Sequence, residues 1–311
     1  MARVLGRFLI AVLVLIPVGL AAQSAQPVSG ESQKLFRSSV DLVTIQASVR
    51  DNKGRPMKGL RPVDFEVRDN GQVRPILSLR ADLRSPISLA ILVDMSGSMS
   101  IAYKIDMARQ AYDSILSQLR TGDEVALFAF DSELHVRQEF TSDLSQLRGA
   151  LSTFEPFGST SLYDATAETA RKLAARSATH KAIIVLTDGT DTSSRLTASE
   201  VSGLASSIDV PVYIVATVPS VDHRAMLEAT ERSTPSEAAD LRDLAEWTGG
   251  QLVFASTFTE TVFVATSLVG ELRQQYVLAI EAANSPEWRR LDVRVKHPSA
   301  VVKARNGYFG G

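Results

Sequence analysis

The sequence predicts an α/β fold: a doubly wound, mostly parallel sheet inserted into a small β-sandwich built from both ends of the chain. Three observations carry this. Apolar runs such as "ISLAILVD", "KAIIVLTDG" and "VPVYIVATV" alternate with helix-period segments through the middle of the chain. Those runs are apolar throughout, as strands buried on both faces must be. The flanking segments instead alternate apolar and polar residues and contain no helix pattern. A length of 311 residues, 45% hydrophobic and 22% charged, fits two globular domains.

Residues 1–22 read as a secretory signal peptide. Arg3 and Arg7 precede an apolar run from Phe8 to Leu20, and small residues follow at Ala21, Ala22 and Ala25. The alternative is an uncleaved anchor, but the run is short for a span of about 20 residues, and Pro17 interrupts it. The expectation is an exported chain with no membrane span once processed, whether periplasmic, envelope-attached or secreted. Residues 23–35 are polar and small, and read as a flexible leader.

Residues 36–84 are the first half of the sandwich. Val43, Ile45, Ala47 and Val49 alternate as a half-buried strand. "DNKGRP" is a turn, Phe65 and Val67 share a strand, and Asp69-Asn70-Gly71 marks a tight hairpin returning through Val73 to Leu79. Residues 85–275 form the α/β domain. Helices are expected over "YKIDMARQAYDSILSQLR", near Asp143 to Phe154, over "SLYDATAETARKLAARS", over "LTASEVSGLASS" with a Thr197/Glu200 capping box, over "EAADLRDLAEWTGG", and from Thr259 to Gln275. Pro219 to Ala238 reads as a long charged loop on the carboxyl side of a strand. Trp247 is expected to pack against the sheet. Residues 276–311 return to β structure, with Leu291, Val293 and Val295 alternating. Neither end has enough strands to stand alone, so one shared sandwich is the economical arrangement and a separate β module at each end its rival.

The chain has no cysteine, which excludes disulfides and thiolate zinc sites. Its four histidines lack metalloprotease spacing, and a net charge of −2 gives no basic surplus for nucleic acid. The chemistry lies elsewhere. Asp94, Ser96 and Ser98 follow the first α/β strand at every second position, which sends one carboxylate and two hydroxyls to one side. Thr160 precedes a helix and Asp188, in "IIVLTDG", ends the strand from Ile183 to Thr187. In an open parallel sheet the carboxyl ends of strands share a face, and ligands bind where strand order reverses. If the first and fourth strands of the domain flank that point, five oxygen donors meet there. Such a set suits a hard divalent ion, Mg²⁺ or alternatively Mn²⁺ or Ca²⁺, with a position left for an outside oxygen. Each residue alone also suits a cap or turn. Asp131 and Asp191 are read as ordinary loop carboxylates.

These five positions resemble the metal-ion-dependent adhesion site of the von Willebrand factor A superfamily, whose domain is Rossmann-like. Its pattern is D-x-S-x-S, then Thr, then Asp in T-D-G; Asp94, Ser96, Ser98, Thr160 and Asp188 match it in order. The resemblance implies a protein-binding, adhesive module in which the ion captures an Asp or Glu carboxylate of a partner. It also implies a last helix that shifts on ligand binding. "VRDNKGRPMKGLRPVDFEV" and "ARNGYF" further resemble the flanks of a group of bacterial secreted proteins. Two other readings stand beside this one. A structural envelope component would use the ion only to stabilise its fold. A phosphatase-like enzyme needs a second acid two residues after Asp94, where Ser96 stands, and shows no acid-base partner, so no enzyme is expected.

Overall fold

The computed structural model describes residues 42–151, 155–178, 180–231 and 237–310. Residues 1–41, which include the expected signal peptide and leader, lie outside the described residues. Among those described, the chain runs β1 (Leu42–Arg50), β2 (Phe65–Asp69), β3 (Gln72–Arg74), β4 (Ser78–Asp82), β5 (Ile87–Asp94), α1 (Lys104–Ser117), β6 (Glu124–Phe130), β7 (Leu134–Thr141), α2 (Leu144–Leu147) and α3 (Leu162–Ala174). It continues through β8 (His180–Thr187), α4 (Ala198–Ser207), β9 (Val212–Thr217), α5 (Ser220–Glu231), α6 (Glu237–Trp247), β10 (Gln251–Ala255), α7 (Phe258–Leu272), β11 (Gln275–Glu281), β12 (Trp288–Val295), β13 (Val301–Ala304) and β14 (Gly307–Phe309).

The central sheet has the order β10-β9-β8-β5-β6-β7. Its pairings are parallel except for β7, which returns antiparallel along β6 as an edge. All eight residues of β5 are buried. Alternation then divides them between two layers. Ile87, Leu89, Ile91 and Val93 pack with the buried faces of α1 and α7, whereas Ala90 and Leu92 pack with α3, α4 and α6. In α1 the buried set Ile105, Ala108, Ala111, Tyr112, Ile115 and Leu116 follows helical spacing. Burying one such large side chain contributes roughly 1.5–3 kcal/mol, so the two layers hold the sheet from both sides.

The ends of the chain interleave. Strand β1 pairs with β11 and β13, β11 pairs with β4, and β12 pairs with β2 and β14, all antiparallel. Two sheets result, β13-β1-β11-β4 and β14-β12-β2-β3. Val43, Ile45, Ala47 and Val49 of the first share one core with Phe65, Val67 and Leu291 of the second. The rival of separate modules is therefore excluded. The hairpin between β2 and β3 turns at Asn70 and Gly71, both with positive φ, 47° and 81°.

Three local expectations change. Pro219 to Ala238 is not one long loop: Ser220–Glu231 is helix α5, with Asp222 in its first turn and no proline or glycine before Pro235. The helix near Asp143 is a single turn, Leu144–Leu147, and the rest of that expectation falls partly on residues 152–154, outside the described residues. Trp247 does not seal the sheet. It is 37% exposed and lines a hollow of about 600 Å³ with Trp288 and Phe309, where the α/β domain meets the sandwich.

Candidate metal centre

The first and fourth strands of the α/β domain, β5 and β8, are neighbours, in register from Ile87↔His180 to Val93↔Leu186. Their carboxyl ends therefore release Asp94 and Asp188 side by side. Asp94 is fully buried, Ser96 is 1% exposed, Thr160 3% and Asp188 6%. Ser98 is half-buried, in a 3-10 turn at Gly97–Ser100.

Backbone bonds stitch the loops together. Met95 donates to Phe130 O at 2.7 Å, Phe157 to Met95 O at 2.7 Å, and Gly97 to Gly158 O at 3.0 Å. Thr160 O accepts from Thr192 and Ser193, each at 2.9 Å, while Thr160 N donates to Thr192 Oγ1 at 2.9 Å. The loop carrying Thr160 is thus fixed against the loops of Asp94 and Asp188. Gly158 sits at φ +88°, which a side chain would strain.

The Asp94 carboxylate accepts from Ser96 N at 2.9 Å and from Thr187 Oγ1 at 2.6 Å. Ser96 Oγ and Ser98 Oγ lie 3.1 Å apart; the 3-10 turn, not strand alternation, brings them together, because β5 ends at Asp94. Burial raises the Asp94 pKa to about 6; bonds from Ser96 and Thr187 pull it down, and the charge of Asp188 adds to the rise. Asp188 Oδ2 accepts from the Lys104 ammonium at 2.8 Å, and Asp188 Oδ1 is buried with no hydrogen-bond partner. Two buried carboxylates, short of positive charge and backed by hydroxyls, are a donor set that fits a hard divalent ion. Among the described residues no three His, Cys, Asp or Glu side chains gather. A set with two carboxylates and three hydroxyls does not depend on such a trio.

The remaining loop carboxylates have structural work. Asp191 accepts from Ser194 Oγ at 2.6 Å and from Tyr163 N at 3.2 Å at the start of α3. Asp131 accepts from Glu133 N at 3.0 Å and its carbonyl from Ser161 N at 2.7 Å. Sequence reasoning missed Lys104. Its signal was a lysine in the first turn of a helix, where the positive end of the dipole favours acids.

A doubly wound sheet with carboxylates and hydroxyls at its strand-order reversal defines the class of protein. Residues 89–190, which include all five positions, match the family profile of the von Willebrand factor type A domain. The match lies within the α/β segment and covers about a third of the chain. No curated protein matches the chain. Among solved structures it is similar to a von Willebrand factor type A protein from Catenulispora acidiphila, at 13% identity and a TM-score of 0.51, over 88% of this chain and 75% of that one. It is also similar to the conserved hypothetical protein BatB from Bacteroides thetaiotaomicron, at 17% identity and 0.46, over 60% and 98%. A third likeness is the vWF domain of the type V pili tip protein Mfa5 from Porphyromonas gingivalis, at 23% and 0.31, over 44% and 43%. The first shows a shared fold and nothing finer; the other two are too loose to carry an inference.

Proposed function

We propose that this chain is an exported, metal-dependent protein-binding module. Asp94, Ser96, Ser98, Thr160 and Asp188 would hold a divalent cation, Mg²⁺ or alternatively Mn²⁺ or Ca²⁺. Held there, the cation would supply an electrophilic position for an Asp or Glu oxygen of a partner protein. The observation that carries the reading is the buried, unpartnered Asp188 Oδ1 beside the buried Asp94 carboxylate. A buried carboxylate oxygen without a hydrogen bond is costly, and a bound ion is one group that would complete it. The profile match over residues 89–190 supports an interaction role. Residues 1–22 support export, and no helix among the described residues is long and apolar enough to cross a membrane.

The test is a pull-down from envelope and secreted fractions with the wild-type chain and Asp94→Ala, with and without chelator. Partner capture should disappear in the variant and in chelator alike. Capture that survives both removes the mechanism. A stabilising role alone would show as a metal-dependent melting temperature with no carboxylate-dependent capture.

A further inference from the structure

The chain brings a cation of its own to the acidic pair. Lys104 is the first residue of α1, and its ammonium stands 2.8 Å from Asp188 Oδ2. Both side chains are largely shielded, 14% and 4% exposed, so the attraction is less screened than on an open surface. Local helix energetics do not explain the placement. A cation in the first turn faces the positive end of the helix dipole, so α1 alone would favour an acid there. The preceding turn is also bent out of ordinary geometry: Ala102 has φ +57°, a left-handed conformation rare outside glycine. Lys104 further lines a hollow of about 420 Å³ with Tyr103, Met107, Pro219 and Phe258. Its flexible stem therefore has open space beside the site.

We infer that Lys104 is a resident counter-cation that competes with the divalent ion for Asp188 and so sets how much metal the site needs. This rests on the reading of the five residues as a metal centre. An ammonium and a divalent ion at one carboxylate repel each other, so Lys104 has to withdraw from Asp188 Oδ2 when the ion is held. The withdrawn side chain would line the hollow walled by Tyr103 and Phe258, whose rings lie 6.1 Å apart.

Calorimetric titration of the full chain with Mn²⁺ tests this. Lys104→Met keeps the stem and removes the charge; it should bind Mn²⁺ about tenfold or more tighter than wild type. In chelator the same variant should melt at a lower temperature, because Asp188 loses its ammonium partner. Lys104→Arg retains the charge and should stay within about twofold of wild type, which separates charge from packing. A Lys104→Met chain that is folded and binds Mn²⁺ no tighter than wild type overturns the proposal while leaving the metal centre standing. Absence of Mn²⁺ binding in all three chains overturns the metal centre, and the competition with it.

Discussion

The two ends of the central sheet bury the same residue type and treat it in opposite ways. At the amino end, Asp123 accepts from Ile87 N at 3.0 Å and Arg120 N at 2.7 Å, and pairs with the Arg273 guanidinium. Burial raises its pKa, but Arg273 and the two backbone donors outweigh that and hold it below the ordinary value. At the carboxyl end, Asp94 is also buried, has no cationic partner among the described residues, and is pushed up to about 6. The amino end repeats its pattern. Glu271 meets Lys303 at 3.0 Å and Arg50 at 3.4 Å, and Arg305 donates to Ser206 O and Thr44 O. These charges are neutralised by cations or satisfied by carbonyls within the chain, and they join the α/β domain to the sandwich. At the other end compensation is incomplete, and incompleteness is what a ligand site needs.

Arg273→Met breaks the comparison at its strongest point. It leaves Asp123 buried without its cation, so the loss should be about 3–5 kcal/mol of unfolding free energy, read by urea denaturation. Metal binding by the remaining folded chain should be unaffected, because Arg273 lies at the opposite end of the strands. A loss below about 1 kcal/mol would mean that the amino-end pairs are no more than surface-grade ion pairs.

Asp94→Asn should go the other way. The folded-state pKa of Asp94 lies above its unfolded value, so its contribution is fully present below about pH 4 and is lost as pH rises through about 6. Asparagine resembles the protonated form. At pH 7 in chelator the variant should therefore be more stable than wild type by about 1–2 kcal/mol, after allowance for a weakened bond from Thr187. It should also lose any rise in melting temperature caused by Mg²⁺. A destabilised Asp94→Asn would show that Asp94 serves the fold, not the site.

Much of this was legible beforehand, for definite reasons. The β5 and β8 runs are apolar on both faces, so their parallel, covered setting followed from composition; the extended reading of D-x-S-x-S did not hold past Asp94, where a 3-10 turn carries Ser98. What was illegible depends on distance in the chain. Lys104 and Asp188 are 84 residues apart and only the fold makes them partners. Arg305 and Tyr308 of "ARNGYF" read as a terminal motif, yet Tyr308 donates to the buried Asp69 at 3.1 Å and Arg305 reaches across to α4. Trp247 was expected against the sheet, but its helix ends at the joint, where it lines a hollow with Trp288 and Phe309 of the sandwich.

The smallest expected effect is the most discriminating, because the two ends should respond to acid with opposite signs. His180 opens β8 at the amino end, 1% exposed and 3.4 Å from Asp82. Burial lowers its pKa below 6.5; the charge of Asp82 opposes this, and the charges of Arg80 and Arg273 assist it. Asp209 also faces it electrostatically. The folded state therefore binds fewer protons at His180 than the unfolded state. Stability is present above about pH 6.5 and is lost as pH falls through the lower folded value, by at most about 1.4 kcal/mol per pH unit. Over the same range Asp94 regains its proton and favours folding. In wild-type chain in chelator the two slopes partly cancel between about pH 7 and 5. His180→Gln should expose the rise due to Asp94 on acidification, and Asp94→Asn should expose the fall due to His180. Melting curves across that window decide it. Profiles that shift in parallel, without diverging in slope, would mean that these two groups do not carry the electrostatic difference between the ends of the sheet.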